Sequence, residues 1–291
     1  MNKNISVLFR TNTILLWIVY IVILNSCSTR SARVSTTSEA DSAEVDSSDQ
    51  NINVVTAPPI ELRLDTFYKK YLNDSGIPII SSEKVPDEAF FAVRNMANAM
   101  LSMRPDIKAK MIENKIRIGI MAKTEVTTDM PEYRDWNEKS PGTDWNKRGR
   151  GFGATISNPL SSCAEENILC YGEGNDGYYP EDIFIHEFGH SIYFLGIRFI
   201  DTSIDAEMHR ALDNAVANGL WENTYAATNI YEYFAEGVQD WYNVNDTSVP
   251  ANGIHNEIHT REQLKNYDPT LYNILKRYFS DDDEKISCHQ E

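Results

Sequence analysis

Two histidines and a glutamate in residues 183–192 have the spacing of a zinc-binding helix. The motif is His186-Glu187-x-x-His190. Residues four apart on a helix lie on one face about 6 Å from each other, so both imidazoles can reach one tetrahedral Zn²⁺. Glu187 stands beside them and can take a proton from a water molecule whose pKa a zinc ion has lowered to about 7. The motif therefore predicts one catalytic Zn²⁺ and hydrolytic chemistry near neutral pH.

A catalytic zinc ion needs a third protein ligand, and the best candidate lies in the segment Tyr231-Glu-Tyr-Phe-Ala-Glu236. Glu232 and Glu236 are four residues apart, so a helix would present both carboxylates on one face. We expect Glu232 to bind zinc and Glu236 to accept the N–H of a ligating histidine. Two alternatives stay open: the glutamates could exchange roles, or Glu232 could close a capping box with Asn229.

The other histidines are weaker candidates. His209 has no motif around it, whereas His255-x-Glu-x-His259 has the same four-residue spacing as the first pair. No acid follows His255 directly, and the segment precedes a capping box in a polar stretch. We therefore expect His255 and His259 to lie in a loop or on the surface, away from the metal.

The helix that carries the first pair must be buried on most of its faces. Pro180 suits a first helical turn, and Glu181 with Asp182 places negative charge at the positive end of the helix dipole. The apolar residues that we expect to pack against a core are Ile183, Phe184, Ile185, Phe188, Ile192 and Phe194.

Upstream of this helix the pattern predicts a mixture of helices and strands. Helical apolar spacing covers 62–72 and, more strongly, 87–103, and Pro105 begins another short helix. Residues 115–122 alternate apolar and polar side chains, as in a strand with one buried face. Residues 149–156 are glycine-rich and predict either a turn that enters a second strand, where a substrate backbone could pair by strand addition, or a plain turn.

Downstream of the active helix the pattern is helical. Asp201 can cap a helix that stops at Gly219, Thr260-x-x-Gln263 is a capping box, and Asp268-Pro269 opens a last helix. The expected fold class is α+β: a small mixed sheet with the active-site helix, followed by a helical lobe, as in zincin-like metallopeptidases.

The N-terminus has the pattern of an export signal. Lys3 and Arg10 precede an apolar run from Ile14 to Leu24 that is shorter than the ~20 residues of a membrane-spanning helix. Leu24-Asn-Ser-Cys27 resembles the bacterial lipobox, which predicts a signal peptide over 1–26 and a lipid anchor on Cys27 at the membrane. Plain secretion, or a retained signal anchor, is the alternative. The Ser-, Thr- and acid-rich residues 27–59 predict a disordered tether in the cell envelope.

The remaining chain reads as one domain, 60–285, with a C-terminal tail at 286–291. If the protein is exported, Cys163 and Cys170 are expected to form a disulfide across a short loop, and Cys288 is left without a role. The net charge of −16 is spread along the chain, and no basic stripe with interleaved aromatic residues is present. Nucleic acid is therefore excluded as an expected partner.

The two acid-and-histidine motifs together resemble those of a known family. His186-Glu-Phe-Gly-His190, followed by Tyr225-Ala-Ala-Thr-Asn-Ile-Tyr-Glu232-Tyr-Phe-Ala-Glu236, is similar to the catalytic domain of anthrax-toxin lethal-factor-like zinc metallopeptidases, which are gluzincins. The resemblance implies that Glu232 is the third zinc ligand and that Tyr225 assists catalysis across the metal from Glu187. A phenol there could donate to an oxyanion or to a leaving amine; a packed tyrosine is the alternative.

These observations predict a zinc metalloendopeptidase tethered to the cell envelope, whose partners are peptide or protein substrates and a membrane. Two other functions fit the same residues. A cell-wall zinc amidase would have the same metal site, and a surface binding protein could use a degenerate peptidase scaffold, although the intact Glu187 argues against that.

Overall fold

The structure is a computed structural model, and it describes residues 54–290. The predicted signal peptide, the lipidation site Cys27 and most of the predicted tether lie outside the described residues. Within the described part, no helix is both long and apolar enough to cross a membrane.

One mixed sheet forms the centre of the N-terminal half. Its strands are β1 (Lys70–Asp74), β2 (Ile77–Ser81), β3 (Arg117–Met121) and β4 (Leu160–Ala164), in that spatial order. β1 and β2 are an antiparallel hairpin, whereas β2, β3 and β4 are parallel. The hairpin turn is only Ser75 and Gly76, both with positive φ (49° and 100°), a conformation that glycine adopts without strain.

Helices cover the sheet and build the C-terminal half. In chain order they are α1 (Asp87–Leu101), α2 (Pro105–Glu113), α3 (Trp136–Lys139), α4 (Trp145–Arg148), α5 (Glu165–Ile168), α6 (Ile183–Ile192), α7 (Arg198–Ile200), α8 (Ile204–Ala217), α9 (Ile230–Trp241), α10 (Arg261–Tyr267) and α11 (Pro269–Leu275). A π-helical turn, Tyr193–Ile197, joins α6 to α7. Short 3-10 turns lie at Ile60–Leu62, Thr127–Asp129, Pro131–Tyr133 and Tyr225–Thr228.

The helix α6 lies between the sheet and the C-terminal helices. It packs against β4 on one side and against α9 on the other. Phe184, Ile185 and Phe188 are fully buried, as their spacing predicts. Burying one such side chain contributes about 1.5–3 kcal/mol, so this face fixes the helix firmly in the core. The α+β prediction, with a small mixed sheet and a helical region after the active-site helix, is confirmed.

Several element predictions are also confirmed. The helices at 87–103 and at Pro105 are α1 and α2, and the alternating segment 115–122 contains β3. The capping box of Thr260 and Gln263 is formed, and Asp268 caps α11 through Leu271 N.

Three local predictions were wrong in detail. Residues 62–72 are not a helix, because pairing with β2 makes 70–74 a strand. Pro180 lies outside α6, since Asp182 is the N-cap, its side chain accepting the N–H of Ile185. Asp201 does not cap α8 directly: its carboxylate accepts from Ser203, which occupies the N-cap position.

The predicted domain boundaries were too narrow at both ends. Thr56, within the predicted tether, exchanges two backbone hydrogen bonds with Tyr71 on β1 (2.9 and 2.8 Å). The tail from 286 to 290 packs on the domain: Ser287 donates to Asp182, and His289 contacts the carbonyl of Asn167 at 2.8 Å. Ordered structure therefore begins before Ile60 and continues past residue 285.

The predicted disulfide between Cys163 and Cys170 is wrong. Cys170 is bonded to Cys288, and Cys163 is a free, buried cysteine. Cys163 lies on β4, an edge strand whose residues are all buried, with its side chain in the hydrophobic core and its sulfur 3.8 Å from the carbonyl oxygen of Gly119. The C-terminal tail supplies the partner of Cys170.

Candidate metal centre

Three atoms that bind metal ions converge where α6 meets α9. His186 Nε2 and His190 Nε2 are 3.1 Å apart. Glu232 Oε2 lies 3.2 Å from the first and 3.1 Å from the second. All three sequence-predicted ligands therefore meet at one point, although Glu232 is 42 residues from His190 and 46 residues from His186 in the sequence.

The residues fit a metal ion by geometry and by chemistry. Ligands at about 2.0–2.1 Å from a tetrahedral zinc ion would be about 3.3 Å from one another, close to the observed triangle. Two imidazole nitrogens and one carboxylate oxygen are also a ligand set that zinc commonly uses at catalytic sites. His186, His190 and Glu232 are one of the groups within residues 54–290 that could hold a metal ion.

The electrostatics of the triangle favour positive charge at its centre. Burial opposes protonation of His186, but its hydrogen bond to Glu232 and the charges of Glu187 and Glu236 outweigh burial and raise its pKa to about 10. Burial likewise opposes ionisation of Glu232, yet the hydrogen bonds to His186 and His190 hold its pKa below its usual range. A bound cation would satisfy the same preference.

Local capping fixes the two helices that carry these ligands. Asp182 caps α6 and Asn229 caps α9, where the Asn229 side chain accepts from the N–H groups of Tyr231 and Glu232. The Glu232 carboxylate points to the histidines instead of back to the cap. The capping-box alternative for Glu232 is therefore wrong, because Asn229 alone satisfies the first turn.

The predicted general base, Glu187, lies in the same cleft against a glycine segment. A Cβ atom on Gly151 would be 3.3 Å from Glu187 Cγ and 2.8 Å from Ile183 Cγ2, and one on Gly153 would be 3.4 Å from Glu187 Oε2 and 2.6 Å from His190 Cβ. The contacts below 3.0 Å leave no room for a side chain at either position. Hydrogen bonds hold the segment in place: Phe152 and Ser162 exchange backbone hydrogen bonds, and Ala154 N donates to Ser191 on α6.

The segment 149–154 is thus neither a regular second strand nor a free turn. Phe152 forms an isolated antiparallel bridge to Ser162, and regular strand structure begins later, at Leu160. Arg150 anchors the segment through Glu166 and the carbonyl oxygens of Ala122 and Glu125. Gly151 and Gly153 alternate with these anchored residues and make no hydrogen bond to another described residue.

Tyr225 lies next to the triangle. Its hydroxyl donates to Glu232 Oε1 at 3.3 Å and accepts from Arg148 at 3.4 Å. Burial raises the pKa of Tyr225, so the phenol keeps its proton at neutral pH. The side chain is only partly buried and lines the cleft.

Glu236 is not the hydrogen-bond partner of a ligating histidine, and that expectation was wrong. The acceptor at His186 Nδ1 is Gln239 Oε1, at 2.8 Å, whereas Glu236 Oε1 lies 3.5 Å away. Glu236 instead accepts from Asn245, and burial raises its pKa to about 7. Sequence spacing could have found Gln239, because residues 232, 236 and 239 follow the i, i+4, i+7 rule of one helix face.

His255 lies in a loop, as expected from the sequence, but it is not on the surface or away from the cleft. It is buried, lines the cleft and has its Nε2 atom 3.7 Å from Glu181 Oε2. No motif around His255 indicates this, because the contact joins a loop to a residue that precedes α6. His209 is exposed, and His259 contacts only the carbonyl of Glu257 through its ring within the described residues.

The residues above line one cleft of about 650 Å³. The metal-ligand triangle, Glu187, the glycine segment and Tyr225 all line it. Aromatic and apolar side chains complete the lining: Trp145, Phe152, Tyr178, Ile183, Phe194, Tyr231 and Ile254. A cleft of this size and mixed character suits part of an extended chain better than a very small molecule.

Comparison with known proteins gives a distant likeness among solved structures. No protein-family model matches the chain, and no curated protein matches it. Among solved structures, the PRO-PRO endopeptidase (PPEP-2) from Paenibacillus alvei is similar at 16% sequence identity with a TM-score of 0.46. The match covers 71% of this chain and 98% of that chain. We base no conclusion about this chain on a likeness of that size.

Proposed function

We propose that this protein is a zinc-dependent metalloendopeptidase of the lethal-factor-like, gluzincin type. The observation that carries the proposal is the triangle of His186 Nε2, His190 Nε2 and Glu232 Oε2, with edges of 3.1–3.2 Å, in the wall of an open cleft beside Glu187. Three protein ligands next to a free carboxylate are typical of catalytic sites, whereas structural zinc sites use four ligands and need no base.

The chemistry divides among the residues of the cleft. A zinc ion held by the triangle would polarise the carbonyl of the scissile bond and lower the pKa of a water molecule. Glu187, in the same cleft, would accept a proton from the attacking water molecule and pass it to the leaving amine as the peptide bond breaks. Tyr225 faces the ligands with a protonated phenol and donates to the carbonyl oxygen as negative charge develops there.

The glycine segment gives the substrate a place to bind. The peptide groups of Gly151 and Gly153 are unpaired within the described residues, while those of Phe152 hold the segment to β4. An extended peptide can add to this edge by backbone hydrogen bonds, and the close packing of both glycines against α6 keeps the edge near Glu187. This geometry supports an endopeptidase that binds the main chain on both sides of the cut.

The location is a separate part of the proposal. The apolar run before Cys27 and the lipobox-like Leu24-Asn-Ser-Cys27 support export and a lipid anchor in the bacterial cell envelope. The polar residues after Cys27 would then tether the peptidase to the membrane.

The test combines metal analysis with cleavage of a mixed peptide library. The purified protein should hold one zinc ion and cut, Glu187→Gln should keep zinc and lose cleavage, and Glu232→Ala should lose zinc. Cleavage should stop after chelation and return with added zinc. Zinc binding without peptide cleavage would favour the cell-wall amidase or a binding protein, and an absence of zinc binding would refute the proposal.

A further inference from the structure

The imidazole of His186 is held by a side-chain amide. Gln239 Oε1 lies 2.8 Å from His186 Nδ1, and the Gln239 side chain is completely buried on α9. The opposite ring nitrogen, Nε2, belongs to the metal-ligand triangle. Whatever fixes Nδ1 therefore fixes the direction of the lone pair that would bind the metal.

Two acceptors determine which way the Gln239 amide points. Its Nε2 atom lies 2.8 Å from Glu181 Oε1 and 3.1 Å from the backbone carbonyl of Asp182. A backbone carbonyl can only accept, so the NH₂ group must stand on that side. The amide oxygen is then the atom that faces His186, and it requires a proton on Nδ1. When a metal ion replaces the proton on Nε2, that nitrogen is the one available as a ligand.

The neighbouring carboxylate does not take this role. Glu236 Oε1 is 3.5 Å from the same nitrogen, which is beyond a good hydrogen bond, and its other oxygen accepts from Asn245. His190 has no equivalent support, because its buried Nδ1 atom has no partner among the described residues. Of the two histidines, only His186 is oriented through its outer nitrogen.

We infer that Gln239 is a positioning residue of the metal site: its amide, locked by Glu181 and Asp182, selects the His186 tautomer that presents Nε2 to the metal. The inference rests on the proposed zinc function. A neutral amide in this role avoids adding a further charge beside the partly buried Glu181 and the buried Glu236.

The test measures the zinc affinity of the full-length protein by competition with a chromophoric chelator. Gln239→Met keeps the size of the side chain and removes the acceptor, so affinity should fall about 10- to 100-fold, the usual effect of losing such a partner. The matched variant Glu236→Gln should stay within about threefold of the wild type. In the zinc-loaded protein, NMR should detect a protected His186 Nδ1–H in the wild type and in Glu236→Gln, and not in Gln239→Met.

Gln239→Glu separates positioning from packing. It restores an acceptor oxygen but brings a carboxylic acid against Glu181 and the Asp182 carbonyl. If Gln239 positions His186, Gln239→Glu should recover most of the zinc affinity that Gln239→Met loses. If Gln239 has a purely structural role, Gln239→Glu should lose at least as much zinc affinity as Gln239→Met. If Gln239→Met does not fold, Gln239→Glu is compared with the wild type instead: a zinc affinity near that of the wild type supports positioning, and a loss of about tenfold or more in the folded Gln239→Glu protein overturns it.

The outcomes separate the inference from the function on which it rests. If the wild type binds zinc and Gln239→Met binds it equally well, or if Glu236→Gln is the weakened variant, the inference is overturned and the zinc site stands. If the wild type binds no zinc, the proposed function itself fails.

Discussion

Gly153 lies directly against His190. A Cβ atom on Gly153 would be only 2.6 Å from His190 Cβ and 3.1 Å from the Glu187 carbonyl oxygen. Side chains do not approach each other that closely, so the segment and α6 are in contact without room for one more methyl group. One wall of the cleft is therefore bare backbone, at the level of a metal ligand and the general base.

Gly153→Ala should therefore push this wall away from α6. We expect a loss of stability of about 1–3 kcal/mol, as for other overpacked sites, and a fall in kcat/KM of at least about tenfold. Urea unfolding and peptide cleavage measure the two effects. Gly177→Ala is the matched control, because a Cβ there would meet nothing within 4 Å; equal behaviour of the two variants would contradict the close contact.

Tyr225→Phe should lower turnover without removing the metal. The phenol donates to Glu232 Oε1, the oxygen that is not part of the triangle, so the ligand atoms stay in place. Loss of one donor to a developing oxyanion typically costs about 10²–10³ in kcat. Zinc content and steady-state kinetics provide the measurement, with Tyr179→Phe, outside the cleft, as the control. Unchanged kcat would make Tyr225 a packing residue.

The disulfide should be found between Cys170 and Cys288 when the non-reduced protein is digested and analysed by mass spectrometry. Burial raises the pKa of the Cys163 thiol, so alkylating reagents should modify Cys163 only after unfolding. Cys288→Ser should cost about 2–5 kcal/mol of stability. A peptide pair that joins Cys163 to Cys170 would show that the tail is connected differently.

Asp240→Asn should stabilise the protein more as the pH rises. Asp240 is buried, and burial raises its pKa well above the usual value, so it stays protonated in the folded state while the unfolded chain ionises. The folded protein therefore loses stability with increasing pH from the ordinary aspartate pKa upward, by at most about 1.4 kcal/mol per unit. Asparagine does not titrate and keeps an oxygen for Asn245. Urea unfolding at pH 5 and pH 8, at one fixed zinc concentration, checks this; a difference between variants that is the same at both pH values would contradict it.

The candidate metal ligands could be predicted from the sequence because the signals that place them on helices are local. His186 and His190 are one helical turn apart, and Asn229 caps the helix that carries Glu232. Helical geometry alone brings such residues to one face. Only the meeting of α6 with α9 had to be assumed, and it followed from the ligand number that zinc needs.

The errors concern contacts between distant residues. Gln239 Oε1 lies 2.8 Å from His186 Nδ1, whereas Glu236 Oε1 lies 3.5 Å from the same nitrogen. Spacing along a helix does not show which of the two side chains makes the hydrogen bond. Cys163 and Cys170 are close in sequence, but burial of one of them on β4 prevents the bond. His255 enters the cleft only because a loop folds back towards Glu181.

The Cys170–Cys288 bond also decides what happens when the backbone is cut. It joins residues 118 positions apart, and His186, His190, Glu232 and Gln239 all lie between them. A single break at an exposed site inside this ring, such as Val249, would leave both pieces covalently joined. Because the disulfide would hold the two pieces close together, each would be at a high effective concentration around the other. The metal-binding side chains could then come together again. A protein with this topology can be cut once between Cys170 and Cys288, by another protease or by a second copy of itself, and still hold all the candidate ligands in one covalent molecule.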